Sequence, residues 1–481
     1  MAWQDAVVYQ VYPRSFQDSD GDGIGDLRGI RSRLDHLAWL GVDALWLSPI
    51  YPSPLADFGY DISDYEAVDP VYGSLDDFDD LVTAAHERGL GLLMDVVPCH
   101  TSIEHSWFRE HPDWYVWADR PNNWLASFGG SAWTFDEERG KYYLHSFYPE
   151  QPDLDWRNPE VVDAMQGVLR FWVDRGADGF RIDALDRLLK DPQLRDDPPA
   201  TEPPLLPAHA ESGSLTGLYS RNAPDIGSAV GQIRAAVGDR FLVGEIYLPS
   251  AKWEPYLEHL DAAFAFELFH APWDASALRP AIEGTLAAAG NRAAWVLSNH
   301  DFRRMPTRVG PDNVRVAAMM LLTLPGTAFI YQGDEIGMDD GPGHDPPFDR
   351  AGRDAYRHPM QWDGSPNGGF TSGEPWLPSV DPERRNVEDE MHDPESLLHL
   401  YRDLIATRRS LGPGFRFRDD APEGMLAYER GEHTVLLNTT GDPLRGPQVG
   451  ETVLETGPGA LSAHEVAPHS GAICLAIPNS G

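Results

Sequence analysis

The chain has 481 residues, 42% of them hydrophobic and 11% aromatic, enough to bury a large core and to build two or three domains. Acidic residues outnumber basic ones 76 to 38, and the formal net charge of -38 repels nucleic acid and anionic lipid, leaving neutral or cationic ligands as expected partners. No stretch is long and apolar enough to cross a bilayer, so a membrane span is excluded with the polyanions.

The opening, MAWQDAVVYQVYPRSF, lacks a basic region followed by an apolar run, which predicts a cytoplasmic protein. Cys99 and Cys474 lie nearly the whole chain apart and read as two reduced structural thiols. Short β-branched runs then alternate with helical stretches. They fall near Val7 to Tyr12, Ala44 to Ile50, Gly91 to Pro98, Gly179 to Ala184, Phe241 to Tyr247, Ala262 to Leu268, Ala294 to Asn299 and Thr327 to Gln332. This pattern predicts an α/β fold, a closed (β/α)₈ TIM barrel. Between the third and fourth runs, residues 101–158 are rich in Trp, His, Asp and Pro and predict a loop-rich inserted domain. A second insert, about Asp191 to Asp225, carries DPPATEPPLLP and is expected to lie over the barrel mouth without regular structure. From about Gly412 the pieces MLAYER, HTVLLNTT and AICLAIP alternate like strands, predicting an antiparallel β domain over 412–481. The barrel then spans 1–100 and 159–411.

The segment DSDGDGIGD sets carboxylates at Asp18, Asp20, Asp22 and Asp26, with Gly23 at the turn and the Ile24 carbonyl available. That spacing fills most positions of a calcium loop, although Gly29 stands where a bidentate Glu normally closes it. Four carboxylates so close repel one another without a cation, so a structural Ca²⁺ is expected here.

Several polar residues follow the apolar runs directly: Asp95 and His100, Asp183, Glu245, His300 and Asp301. In a barrel of this kind the carboxyl ends of the strands meet on one face. Hydrolysis of a glycoside with retention needs two carboxyl groups about 5 Å apart, one to attack and one to protonate the leaving oxygen. In GFRID the period of two puts Arg181 beside Asp183, where a guanidinium would hold the carboxylate ionised. Glu245 emerges from the apolar run FLVG, where desolvation would keep its proton on, as a general acid requires. Any one of these alone reads as a helix cap or a barrel salt bridge; their joint position after different strands carries the argument.

The motifs DVVPCH, GFRIDALD, GEIY and SNHD, in this order, resemble glycoside hydrolase family 13, the α-amylase family. The likeness extends to FGYDISDY, QPDLDW, YQGDEIGM and RHPMQWDGSPNGGFT, covering about Trp3 to Thr371. It implies Asp183 as nucleophile, Glu245 as acid/base and Asp301 as transition-state stabiliser. It implies further that Asp95, His100, Arg181 and His300 shape the first sugar subsite and that Tyr60 stacks on that sugar. Asp57 and Arg357 match residues that bind the non-reducing-end glucose and close the pocket in exo-acting members. Residues 101–158 correspond to the family's domain B, and Asp18, Asp20, Asp22, Ile24 and Asp26 to its metal loop.

QPDLDW is similar to the signature of the oligo-1,6-glucosidase group, with Asp155 in place of an Asn. Ala184 after the nucleophile position leans to α-1,4 bonds, since 1,6-specific members tend to carry Val there. The expected function is therefore an exo-acting retaining α-glucosidase acting on maltose and maltooligosaccharides. Trehalose synthase, transglucosylase and sucrose hydrolase activities stay open on the same scaffold, as does a non-catalytic sugar-binding relative. Cys99 stands where an Asn ligates calcium in true α-amylases, which counts against a second calcium site of that type.

Overall fold

In a computed structural model of the chain, which describes residues 3–201 and 212–477, eight parallel strands close into a barrel. They are β1 (Val7–Val11), β2 (Ala44–Leu47), β3 (Gly91–Val96), β4 (Gly179–Ile182), β5 (Phe241–Gly244), β6 (Ala262–Phe264), β7 (Ala293–Val296) and β8 (Thr327–Tyr331). Each pairs with its neighbours in sequence, and β1 closes on β8 through Val7 opposite Ala328. All eight expected runs are strands, each shorter than the apolar run that marked it.

Strand alternation sorts the side chains into two cores. Val8, Trp46, Leu93, Val243, Phe264, Val296 and Phe329 fill the barrel interior, while Tyr9, Leu45, Phe180, Ile182 and Leu242 face the surrounding helices. The residue two places after an interior apolar one points to the same side but one layer higher. Hence Gln10 follows Val8, Ser48 follows Trp46, Asp95 follows Leu93, and Glu245 follows Val243, so the barrel's apolar filling is roofed by a polar layer. The helix Pro159–Asp174 shows how the outer ring is built: Asn158 caps it, Pro159 starts it, and Val161, Met165, Val168, Leu169 and Trp172 face the strands.

The 101–158 insert is more regular than its composition predicts. Trp117–Ala118, Lys141–Leu144 and Trp133–Asp136 form a three-stranded antiparallel sheet with a small core of Trp124, Ala132, Trp133 and Leu144. Its hairpin turns at Gly140, which takes φ 64°. The described part of the second insert is tied to this domain: Asn122 Nδ2 donates to Leu194 O at 2.9 Å and Trp124 Nε1 to Arg195 O at 2.9 Å. Its central PPLLP run lies outside the described residues. From Phe415 the chain forms a five-stranded antiparallel sheet, anchored to the barrel side by Arg430 on Asp5 at 2.5 Å and by the Thr323 and Tyr428 hydroxyls at 2.6 Å. Among the described residues no helix is long and apolar enough to cross a membrane.

Candidate active site

The polar roof of the barrel converges on one guanidinium. Arg181 on β4 is fully buried; its Nη1 reaches Asp95 at 2.9 Å and Asp183 at 2.6 Å, and its Nη2 reaches Glu245 at 2.5 Å. Carboxylates from the ends of β3, β4 and β5 are thus gathered on one planar fork. A chain of hydrogen bonds fixes the neighbouring wall. Gln10 Nε2 approaches His300 Nδ1 at 2.8 Å, His300 Nε2 approaches the Tyr60 hydroxyl at 2.6 Å, and that hydroxyl donates to Asp95 at 2.9 Å. The Tyr60 and His300 rings stack at 5.3 Å, so the aromatic is held rigidly. Asp57, Tyr60, His100, Asp183, Glu245 and Asp301 all line one cavity of about 330 Å³, within the range of small-ligand sites.

Burial dominates the electrostatics of this cluster. It pushes Glu245 up to about 8, with Arg181 opposing and the charges of Asp183 and Asp301 adding to the rise. Burial also outweighs Arg181 at Asp183, which rises to about 6; the expected lowering of this carboxyl by its arginine neighbour is therefore a correction in sign. The order still separates the two groups: Asp183 loses its proton at lower pH than Glu245. Burial raises Asp301 as well, but the His300 ring nitrogen 3.2 Å away and the guanidiniums of Arg353, Arg357 and Arg181 together outweigh it and hold the carboxyl well below its ordinary range. His300 is lowered to about 3 by burial and stays neutral.

Activity that needs Asp183 ionised and Glu245 protonated rises through about 6 and falls through about 8. The kcat/KM profile against pH is therefore expected to be a bell centred near 7. A profile still rising at pH 9 would contradict the protonated role of Glu245.

At the far end of the cavity the structure corrects one expectation. Arg353, not Arg357, faces Asp57, at 2.5 Å, and the same guanidinium reaches Asp301 at 2.9 Å and Asp349 at 2.5 Å. Arg357 is fully buried one layer behind, donating from Nε to His300 O at 2.8 Å and lying 3.4 Å from Asp301. The two arginines sit four residues apart in RDAYR, and the sequence carries no signal that tells them apart. Gln151 was also missed: its Nε2 donates to Asp57 at 2.9 Å and meets His100 Nε2 at 2.9 Å, which explains the leading Gln of QPDLDW. Over the rim, Arg350 lies 3.7 Å above the Tyr148 ring, pairs with Glu150 at 2.6 Å and donates to Ala56 O, fastening the segment before Arg353 to the inserted domain.

Two clusters of metal-ligand side chains lie among the described residues. In the N-terminal loop, ligand oxygens of Asp18, Asp20 and Asp22 lie within 4.8 Å of one another, and Asp22 is raised by burial and by its acidic neighbours. An all-oxygen set of this kind fits a hard cation. Asp26 stands outside that cluster: Oδ1 caps the helix Leu27–Ser32 through Gly29 N, and Oδ2 accepts from Ser19 N at 2.7 Å. Ile24 N donates to Asp22 Oδ1 at 2.8 Å. Cys99, His100 and Asp153 also converge, but Lys190 Nζ sits 2.6 Å from Asp153 and 3.9 Å from Cys99 Sγ, so a built-in ammonium neutralises the carboxylate there.

A buried guanidinium joining carboxylates from three strand ends, in a cavity at the carboxyl face of a closed barrel, is an arrangement suited to glycoside hydrolysis. The alpha amylase, catalytic domain family model matches residues 10–412, and the chain belongs to that family. It is 40% identical over 460 residues to a probable alpha-glucosidase of Rhizobium meliloti, covering 85% of this chain and 82% of the relative. It is 37% identical over 478 residues to an oligo-1,6-glucosidase of Parageobacillus thermoglucosidasius, covering 85% and 83%. The crystal structure of an alpha-glucosyl transfer enzyme, XgtA, superposes with a TM-score of 0.91 at 37% identity, covering 98% of this chain and 99% of that one.

Proposed function

We propose that the chain is an exo-acting retaining α-glucosidase that releases α-glucose from the non-reducing end of short α-glucosides, preferring α-1,4 to α-1,6 bonds. The observation that carries this reading is the single Arg181 fork holding Asp183 and Glu245 side by side in a cavity whose far end is filled by Asp57 and Arg353. A pocket stopped at one end admits a terminal sugar and leaves the bond beyond it at the carboxylates.

In this mechanism the ionised Asp183 attacks the anomeric carbon as Glu245 gives its proton to the departing oxygen, forming a glucosyl-enzyme. Glu245, now a carboxylate, takes a proton from water, which attacks from the face just vacated and restores the original configuration. Asp301 stays charged throughout and, with Asp57 and His100, is positioned to grip ring hydroxyls as the sugar flattens. Asp95 and His300 hold Arg181 and Tyr60 in place. Glucosyl transfer to a second sugar or alcohol is the other reading; the likeness to the alpha-glucosyl transfer enzyme and the aromatic rim of Phe128, Tyr247, Phe302 and Tyr356 favour it. The presence of all three carboxylates argues against a non-catalytic relative.

The test is incubation with p-nitrophenyl α-glucoside, maltose, isomaltose, sucrose and trehalose, followed by NMR of the first-formed product. α-Glucose released fastest from maltose supports the proposal. β-Glucose as first product, or no turnover of any of the five, would overturn it; new disaccharides in place of glucose would move it to the transfer reading.

A structural Ca²⁺ on Asp18, Asp20 and Asp22, with the Ile24 carbonyl and Asp26 as further ligands, belongs to the same proposal. It supplies positive charge to a loop that Thr371 joins to the barrel by donating to Asp18 at 2.5 Å. At a hundredfold excess over its Kd such an ion stabilises the folded state by about 2.7 kcal/mol. Dialysis against a chelator is expected to lower Tm by several degrees, restored by Ca²⁺ but not by Mg²⁺; an unchanged Tm with no metal in elemental analysis would remove the ion. The two buried free thiols support a reducing, cytoplasmic setting.

A further inference from the structure

Tyr247 lies two residues after Glu245, just beyond the end of β5, and both side chains reach the cavity. Its hydroxyl donates to Glu245 Oε1 at 2.9 Å. The same oxygen already receives Arg181 Nη2 at 2.5 Å, whereas Oε2 has one weaker donor, the Ala184 N–H at 3.2 Å. The phenol ring is fixed in turn: it stacks on Phe266 at 4.7 Å and 9°, and Phe266 packs against Phe264 and Phe269 inside the barrel.

Building on the α-glucosidase reading, we infer that Tyr247 is a positioning residue for the acid/base, which with Arg181 assigns the transferable proton to Glu245 Oε2. An oxygen receiving two donors has no lone pair left for a proton, so protonated Glu245 carries it on the other oxygen. Burial and the nearby Glu245 charge keep the phenol itself protonated, so it acts as a donor. In the forward step the Oε2–H proton passes to the glycosidic oxygen as the carbon–oxygen bond breaks with its electron pair on that oxygen, while Asp183 bonds to the anomeric carbon. On the return step the same oxygen recovers a proton from the attacking water. Neither step uses a proton from Tyr247.

Proton delivery matters most when the leaving group is poor, and this separates positioning from packing. The experiment compares wild type and Tyr247→Phe on maltose and on 2,4-dinitrophenyl α-glucoside, whose phenolate leaves without help, across the pH range. Phenylalanine keeps the ring and its stack on Phe266, and an unchanged Tm documents the fold. Loss of one hydrogen bond to a charged group is expected to lower kcat/KM for maltose about tenfold or more. For the dinitrophenyl substrate the change is expected to stay below about twofold. The alkaline limb on maltose is expected to move to higher pH, because the lost donor favoured the carboxylate form. Equal losses on both substrates, or an unmoved limb with no loss on maltose, would overturn the inference. If wild type itself turns over neither substrate, it is the α-glucosidase reading that fails.

Discussion

Replacing Asp183 with asparagine is expected to reduce kcat/KM on maltose by about 10⁴-fold or more while leaving the fold intact. The amide keeps the shape of the carboxylate but cannot bond to the anomeric carbon, and the double-displacement route is closed. Losses of this order accompany removal of a nucleophile in other enzymes. The fold tolerates the change because Arg181 keeps Asp95 at 2.9 Å and Glu245 at 2.5 Å. There is a second effect of the same sign. The charge on Asp183 is one of the causes that hold Glu245 above its ordinary range, so the variant's acid/base titrates lower as well. The checks are steady-state kinetics with a circular dichroism melt. Residual activity within tenfold of wild type would show that another group attacks.

Substitution of Arg353 is expected to damage both stability and activity. Its guanidinium is shared by Asp57, Asp301 and Asp349, and truncation to alanine leaves the buried Asp57 without its ion-pair partner and Asp301 and Asp349 with only the more distant Arg357, at 3.4 and 3.5 Å. Removing one partner from a buried ion pair costs about 3–5 kcal/mol, so Arg353→Ala is expected to lower Tm markedly and kcat/KM by at least a hundredfold. Arg353→Lys separates charge from geometry: a single ammonium restores the sign but not the fork that reaches three acceptors, so stability recovers further than activity. The same lysine change at Arg357 tests the alternative. Should Arg357→Lys abolish glucose binding while Arg353→Lys leaves KM at the wild-type value, the sugar-facing role returns to Arg357.

The barrel was legible because its strands are period-two runs of apolar residues, and the polar residue that follows each run stands where a barrel opens. Asp183, Glu245 and His300 stand out by that rule, while Asp95 lies inside β3 with its side chain on the same guanidinium as Asp183 and Glu245. Arg353 was not, because it lies in a long segment after β8 without periodicity, where RDAYR offers two arginines and no basis for choosing between them. Gln151 and Tyr247 escaped for another reason: each acts by hydrogen-bonding a charged residue remote from its own role, a relation no local pattern encodes. The hairpin of the inserted domain was hidden by composition, since its WTFD and KYYL strands are short, aromatic and separated by a charged turn. The direction in which the Asp183 pKa moves was misjudged because the sequence displays the neighbouring arginine but not the depth at which both are buried.

The far wall of the cavity, built from Arg353 and its carboxylates, has a consequence for the fate of the glucosyl group. What departs after the first bond breaks and what arrives to take its place share one doorway. A slow-leaving aglycone bars water and stands ready to be rejoined through a different hydroxyl, whereas a fast-leaving one cedes the threshold to solvent. Loosening the entrance, where Arg350 bridges Glu150 and the Tyr148 ring, is therefore expected to shift the ratio of hydrolysis to transfer more than it changes cleavage of the first bond.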